Sequence, residues 1–262
     1  MHIDAQEPPW RVVRAFSQAN GASLVHLHNV SGGVLSGDDL SLKIDVGPGA
    51  AAQVTTTGAT RLYRHRHGLA DSRQQVEIHV SEGALLEYLP DALIPFAGSR
   101  HSQRTSISLA DRAILLWWEI LAPGRQAMGE TFKFDSLRLR TEVHSCSRPL
   151  LIESSHLQPA LRPLIALTRL GPYTHAANFY AFSVGAAAAQ WRDLEAQMNA
   201  VCSARSTPGV TIWGSSALAA DGLAVRGLSA SARELPATLA QVWQTAKRAL
   251  TGEDAIPPRK VY

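Results

Sequence analysis

Ten histidines are spread along this chain, and two pairs have the H-x-H spacing that a strand projects from one face: His26-Leu27-His28 and His65-Arg66-His67. Two imidazoles so placed can begin a site for nickel, zinc or iron. Glu153-Ser154-Ser155-His156 has the spacing of half a carboxylate–histidine metal motif, without a second copy. The acidic residues in apolar settings say more. Glu87 lies within Leu85-Leu86-Glu87-Tyr88-Leu89-Pro90, and Glu119 within Leu115-Leu116-Trp117-Trp118-Glu119-Ile120. A carboxylate on an inward face is costly unless it is paired, metal-bound or turned toward trapped water. Arg64, Arg104 and Arg125 are at hand to pair such acids. Gly32-Gly33-Val34-Leu35-Ser36-Gly37-Asp38 lacks the lysine of a phosphate loop and lies between two strand patterns, so its glycines serve a tight connection or bulge. There is no G-x-x-x-x-G-K-[ST], G-x-G-x-x-G, G-x-S-x-G or H-E-x-x-H, which lowers the weight of the common hydrolases and nucleotide-dependent enzymes.

The elements that must carry these residues are mostly strands. Leu40, Leu42, Ile44 and Val46 alternate with polar residues, as do Val76, Ile78 and Val80, the period of a half-buried strand. A weak internal repeat underlies them. Ile44-Asp45-Val46-Gly47-Pro48-Gly49-Ala50 has the layout of Ile78-His79-Val80-Ser81-Glu82-Gly83-Ala84, and Ile107-Ser108-Leu109-Ala110-Asp111-Arg112-Ala113 is a looser third copy. The recurrence predicts stacked strand–turn–strand units, although uneven spacing argues against a strict repeat. Helical spacing comes late. Trp191, Leu194 and Met198 mark a helix over Ala186 to Cys202, and Leu239, Val242, Trp243, Ala246 and Leu250 mark another closed by Gly252. Val210–Trp213 and Leu223–Leu228 between them read as strands. The expected fold is mainly β: a large layered or solenoid-like sheet scaffold with about two α-helices in the C-terminal part. One domain over residues 1–262 is the economical reading, with a soft joint near 157–172 where Pro159, Pro163 and Pro172 fall.

Composition narrows the partners. At 262 residues, with 45% hydrophobic and 18% charged residues, the chain can bury a core without a staple. Its longest strongly apolar stretch, Ala113 to Trp118, is far short of a membrane span, and Met1-His2-Ile3-Asp4 shows no secretory pattern. No membrane partner is expected. Twenty-one of 25 basic residues are arginine and the net charge is only +3, so there is no dense basic block for nucleic acid. Such a surface suits paired contacts with carboxylates, including those of protein partners. Cys146 and Cys202 form no metal or disulfide spacing, so a cytoplasmic location is expected.

Taken in order, several of these segments resemble the urease accessory protein UreD (UreH) family. The resemblance rests on Gly32-Gly33-Val34 with Gly37-Asp38, Gly49-Ala50 leading to Thr55-Thr56, and Ala59-Thr60-Arg61-Leu62-Tyr63-Arg64. It continues through Gly83-Ala84-Leu85-Leu86-Glu87-Tyr88-Leu89-Pro90, Trp118-Glu119-Ile120, Gly124-Arg125 and Gly129-Glu130-Thr131-Phe132, and ends at Pro257-Pro258-Arg259. Leu35-Ser36 and the terminal Lys260-Val261-Tyr262 depart from the family pattern, and residues 160–262 match less well. The resemblance implies a urease maturation factor that is not an enzyme: a β-rich scaffold that binds apo-urease and the helical accessory protein UreF, which together recruit the GTPase UreG bringing nickel. It also implies an internal passage for the ion, with no tightly bound cofactor and only transient nickel. Asp38, Glu87, Glu119 and Glu130 are the candidate residues facing that passage, with carboxylate oxygens able to hand on a divalent ion.

Two other readings make different demands. His65, His67 and Asp71 faintly resemble a cupin metal motif, which needs a closed small barrel and a third histidine, His79 or His101. A carbohydrate-active β-helix needs two acids facing each other across an open cleft.

Overall fold

The computed structural model describes residues 1–258. In chain order its strands are β1 (Trp10–Arg11), β2 (Ala15–Ser17), β3 (Ser23–Asn29), β4 (Asp39–Val46), β5 (Ala51–Thr56), β6 (Thr60–Leu62), β7 (Ser72–Val80) and β8 (Leu85–Leu89). They continue with β9 (Leu93–Pro95), β10 (Arg100–Leu109), β11 (Ile114–Leu121), β12 (Ser136–Ser145), β13 (Arg148–Leu157) and β14 (His175–Ser183). After β14 come helix α1 (Ala188–Arg205), β15 (Thr211–Ala217), β16 (Gly222–Ser229) and helix α2 (Leu235–Thr251).

The three sequence repeats form a stack. Ile44, Ile78 and Ile107 are successive register partners in parallel strands, and so are Val46, Val80 and Leu109. The turns after them also stack, with Gly49 N–H donating to Glu82 O at 3.0 Å and Gly83 N–H to Asp111 O at 3.1 Å. Each turn passes through the left-handed region, at φ +63° for Gly49 and Gly83 and +57° for Arg112. Glycine accepts that conformation freely, whereas Arg112 carries a Cβ against it. The uneven repeat spacing is absorbed at the opposite end of the coils, where loops and the short strands β6 and β9 intervene.

After each turn the chain crosses to the other of two layers. The larger sheet has the order β1-β3-β5-β8-β11-β14-β16-β15, and the smaller one β13-β12-β10-β7-β4. Strands β3, β5, β8 and β11 are parallel, as are β4, β7, β10 and β12, so each coil adds one strand to each layer. The coiling stops at Cys146 and Ser147, both at positive φ, where β12 turns back into β13 as an antiparallel hairpin. Strands β14, β16 and β15 then extend the larger sheet antiparallel. The segment 158–174 is the irregular connection between the layers; Leu164 is buried in it, whereas Leu161 and Leu167 are exposed.

Alternation fixes what each face meets. Toward the turns, the space between the layers is apolar, with Ile78, Ile107, Val143, Leu115, Trp117, Tyr180 and Phe182 in one cluster. At the loop end a second apolar cluster of Val34, Leu40, Leu62, Phe132, Phe134, Leu137 and Leu164 closes it. The outer face of the larger sheet presents Leu116, Phe179, Leu223 and Val225 to Trp191, Leu194 and Met198 of α1 and Leu239, Val242 and Trp243 of α2. Both helices occur where the apolar spacing predicts, and α2 ends on Gly252 at φ +74°, whose N–H donates to Arg248 O. The motif residue Arg259 and the terminal Lys260-Val261-Tyr262 lie outside the described residues.

Candidate functional site: a polar belt between the sheets

Between the two apolar clusters the inward positions turn polar on both layers. From the smaller sheet come Gln74, Gln103, Thr105, Thr141 and Glu153, each on the same strand face as the apolar residues nearer the turns. From the larger sheet come Tyr88, Glu119, Asn178 and Arg226. Glu119 follows Leu115 and Trp117 by two-residue steps and pairs in register with Asn178, which pairs in turn with Arg226. The belt reaches the surface at the edge of the smaller sheet. There the half-exposed Arg226 is ion-paired to Glu153 across the layers, and Tyr180 Oη donates to Glu153 Oε2 at 2.6 Å.

Glu119 is the unusual member. No hydrogen bond or ion pair holds its carboxylate among the described residues, and burial pushes its pKa up from 4.5 to about 8. Repulsion from Glu153 acts in the same direction and Arg226 against it. Although the residue as a whole is only half-buried, the carboxyl lies deep enough for desolvation to dominate. Glu119 also raises the pKa of the Tyr88 phenol, already lifted by burial.

The other acids singled out from sequence lie elsewhere. Glu87 is buried on the opposite face of the larger sheet, where Lys247 Nζ of α2 sits 2.8 Å from its Oε1. Gln53 Nε2 donates to Glu87 Oε2 at 2.8 Å and Trp243 Nε1 to Oε1 at 3.3 Å. The partner is therefore a lysine 160 residues away, where sequence reasoning looked to a nearby arginine. Glu130 accepts a fork of bonds from Arg125, one of them Nε to Oε2 at 2.8 Å, and the Ala97 N–H also donates to Oε2. The guanidinium hydrogen bond holds the Glu130 carboxyl below its usual range. Arg125 lies over the Phe96 ring at 4.3 Å, so this cluster locks two loops at the end of the coil. Gly124 is essential to it: at φ +123° any Cβ would come within 2.3 Å of Glu130 O. Asp38 closes its own turn, accepting from Leu35 N–H at 2.8 Å.

The histidine readings are corrected by the fold. His65 and His67 follow the end of β6 in an irregular segment with His67 exposed, so they do not share a strand face. His65 Nδ1 is 3.7 Å from Asp71, but two open layers stand where a cupin barrel is required. His79 points outward from β7, exposed, while His101 points inward from β10. His26 and His28 do share a face of β3, whose neighbours Val25 and Leu27 enter the inter-sheet core. Glu153 and His156 are three apart on a strand and therefore face opposite ways. Glu119 and Glu153 interact, but inside the sandwich and not across an open cleft. Among the described residues no three His, Cys, Asp or Glu side chains group to hold an ion. Two depressions, one lined by Leu35, Tyr63 and Arg64 and the other by Trp10, Leu27 and Thr56, are open and about 200 and 220 Å³, below the usual range for small-molecule sites.

Sequence reasoning named His101 only as a possible third cupin ligand and missed its enclosed, inward position. Burial to 2% exposure lowers its pKa to about 4, and its inward direction emerges only from the register of β10 with β7 and β12. Its signal in the sequence was the polar alternation His101-Gln103-Thr105 running directly into Ile107 and Leu109.

Coil and belt together define a class: a two-layer β scaffold with a polar interior. The family model described as UreD urease accessory protein matches residues 1–262, and the chain belongs to that family. It is 46% identical over 260 residues to the urease accessory protein UreD of Herpetosiphon aurantiacus, covering 99% of this chain and 90% of that one. It is 30% identical over 251 residues to UreD of Deinococcus radiodurans, covering 95% and 85%. To UreD of Sorangium cellulosum it is 37% identical over 168 residues, covering 64% and 52%. The family consists of urease accessory proteins, maturation factors and not catalysts. No helix among the described residues is long and apolar enough to cross a membrane.

Proposed function

We propose that this chain is a cytoplasmic scaffold for urease maturation, binding apo-urease together with the helical accessory protein UreF and, through that pair, the GTPase UreG. Nickel is the cargo, held transiently and not as a resident cofactor. The whole-chain family match carries the maturation role. The belt gives the cargo a route, because it interrupts an otherwise apolar sandwich with oxygen ligands suited to a divalent ion. Of the four carboxylates considered from sequence, we assign Glu119 to that route, since Glu87 and Glu130 are tied by Lys247 and Arg125 and Asp38 closes a turn. A carboxyl without a partner can give up its proton to take a passing cation and regain it on release, whereas a tight multidentate site would trap the ion.

Co-expression of the tagged chain with the host's apo-urease, with and without UreF, tests the scaffold. Stoichiometric co-purification with both is expected. A soluble chain that captures neither protein contradicts the proposal.

A further inference from the structure

His101 is one of the most enclosed polar residues of the interior, and its hydrogen bonds fix its protonation pattern. Ser72 Oγ donates its single proton to Arg100 O at 3.0 Å. The same Oγ lies 2.9 Å from His101 Nδ1, so there it must accept, and Nδ1 carries the ring proton. The other nitrogen, Nε2, is then an unprotonated lone pair, and it is buried with no hydrogen-bond partner among the described residues. Gln74 Oε1, at 7% residue exposure, is a second buried acceptor without a partner among the described residues. Ser72 and Gln74 are successive inward residues of β7, and their register partners on β10 are His101 and Gln103. Two unsatisfied acceptors therefore lie diagonally on one sheet face, with no donor among the described residues bonded to either.

Buried acceptors of this kind are met by the hydrogens of a water or by a cation. An imidazole whose far N–H is anchored by a neighbouring group, leaving the near nitrogen bare, is the arrangement that orients a metal-binding histidine. We propose that His101 Nε2, with Gln74 diagonal to it on the same sheet face, is a nitrogen-containing contact for a borderline divalent cation at the loop end of the polar belt, oriented by Ser72. This rests on the belt being the cargo's route. It adds selectivity to that route, because an imidazole favours nickel over the harder magnesium and calcium, which prefer oxygen ligands. A single nitrogen and an amide oxygen make a weak site, as a contact that must release its ion requires.

The test is nitrogen-edited imidazole spectroscopy of the full chain at neutral pH, titrated with nickel alone and, separately, with magnesium. Before metal is added, His101 should show a protonated Nδ1 and a bare Nε2. Paramagnetic nickel should then broaden the His101 ring signals, and magnesium should leave them unchanged. Ser72→Ala should weaken the nickel response about tenfold by releasing the ring. His101→Gln should abolish the interior response, while His79→Gln on the outer face of β7 should leave it intact. A proton on Nε2, or His101 signals unchanged at nickel levels that saturate the exposed histidines, overturns the inference. Binding of wild-type chain to apo-urease is scored separately and bears only on the scaffold reading.

Discussion

A buried ion pair and an unpaired buried acid sit on opposite faces of the same sheet, and they respond differently to substitution. Glu87 and Lys247 are 1% and 0% exposed, so removing one partner strands the other charge away from water. Glu87→Leu should destabilise the chain by about 3–5 kcal/mol in denaturant unfolding, whereas the double change Glu87→Gln/Lys247→Met should return to within about 1 kcal/mol of wild type or exceed it. Glu119 carries the opposite sign. Its folded carboxyl keeps a proton that the unfolded chain gives up between pH 4.5 and about 8, so the native state loses stability as pH rises through that window. Glu119→Gln removes this slope. Unfolding midpoints of variant and wild type should coincide below pH 4.5 and separate progressively up to pH 8, with Glu119→Gln the more stable. The gain is on the order of a few kcal/mol, reduced by the partial exposure of the residue. Parallel midpoint curves across the range would show that Glu119 is already satisfied in the fold.

Local structure was legible in the sequence where a single periodicity decided it. Ile44, Ile78 and Ile107 share a layout because they occupy one level of successive coils, and Gly252 marks the end of α2 because that turn needs positive φ. What a strand meets across the molecule was not legible. The sequence shows Glu87 and Glu119 as equivalent acids in apolar strands. Opposite faces of neighbouring strands, plus a helix 160 residues away, make one a structural pair and the other an open carboxylate. His65 and His67 failed for the converse reason: their spacing suits a strand, but β6 ends at Leu62. Arg112 tests the coil itself. It occupies the left-handed turn position that Gly49 and Gly83 fill in the preceding repeats, and the ion pair it makes with Glu82 is exposed. Arg112→Gly should raise stability by about 0.5–1 kcal/mol, a thermal shift of about 1–4 °C, since relief of the turn outweighs a solvent-exposed pair. A fall in melting temperature would mean that the turns are not conformationally equivalent.

At the scale of the whole molecule, the two layers form a wall around a polar seam, and the helices brace one wall from outside. That division leaves the belt free of the main stability-bearing contacts, which lie in the apolar clusters on either side and beneath the helices. A change inside the seam should therefore alter passage of the cargo without dismantling the scaffold. The most direct measurement is nickel content per active site of urease matured at limiting nickel by wild-type chain or by Glu119→Gln, with co-purification of the chain scored in the same preparation. The account predicts that Glu119→Gln still co-purifies with apo-urease in full amount while nickel loading falls several-fold. Full nickel loading by Glu119→Gln, at equal co-purification, would contradict a route through the belt.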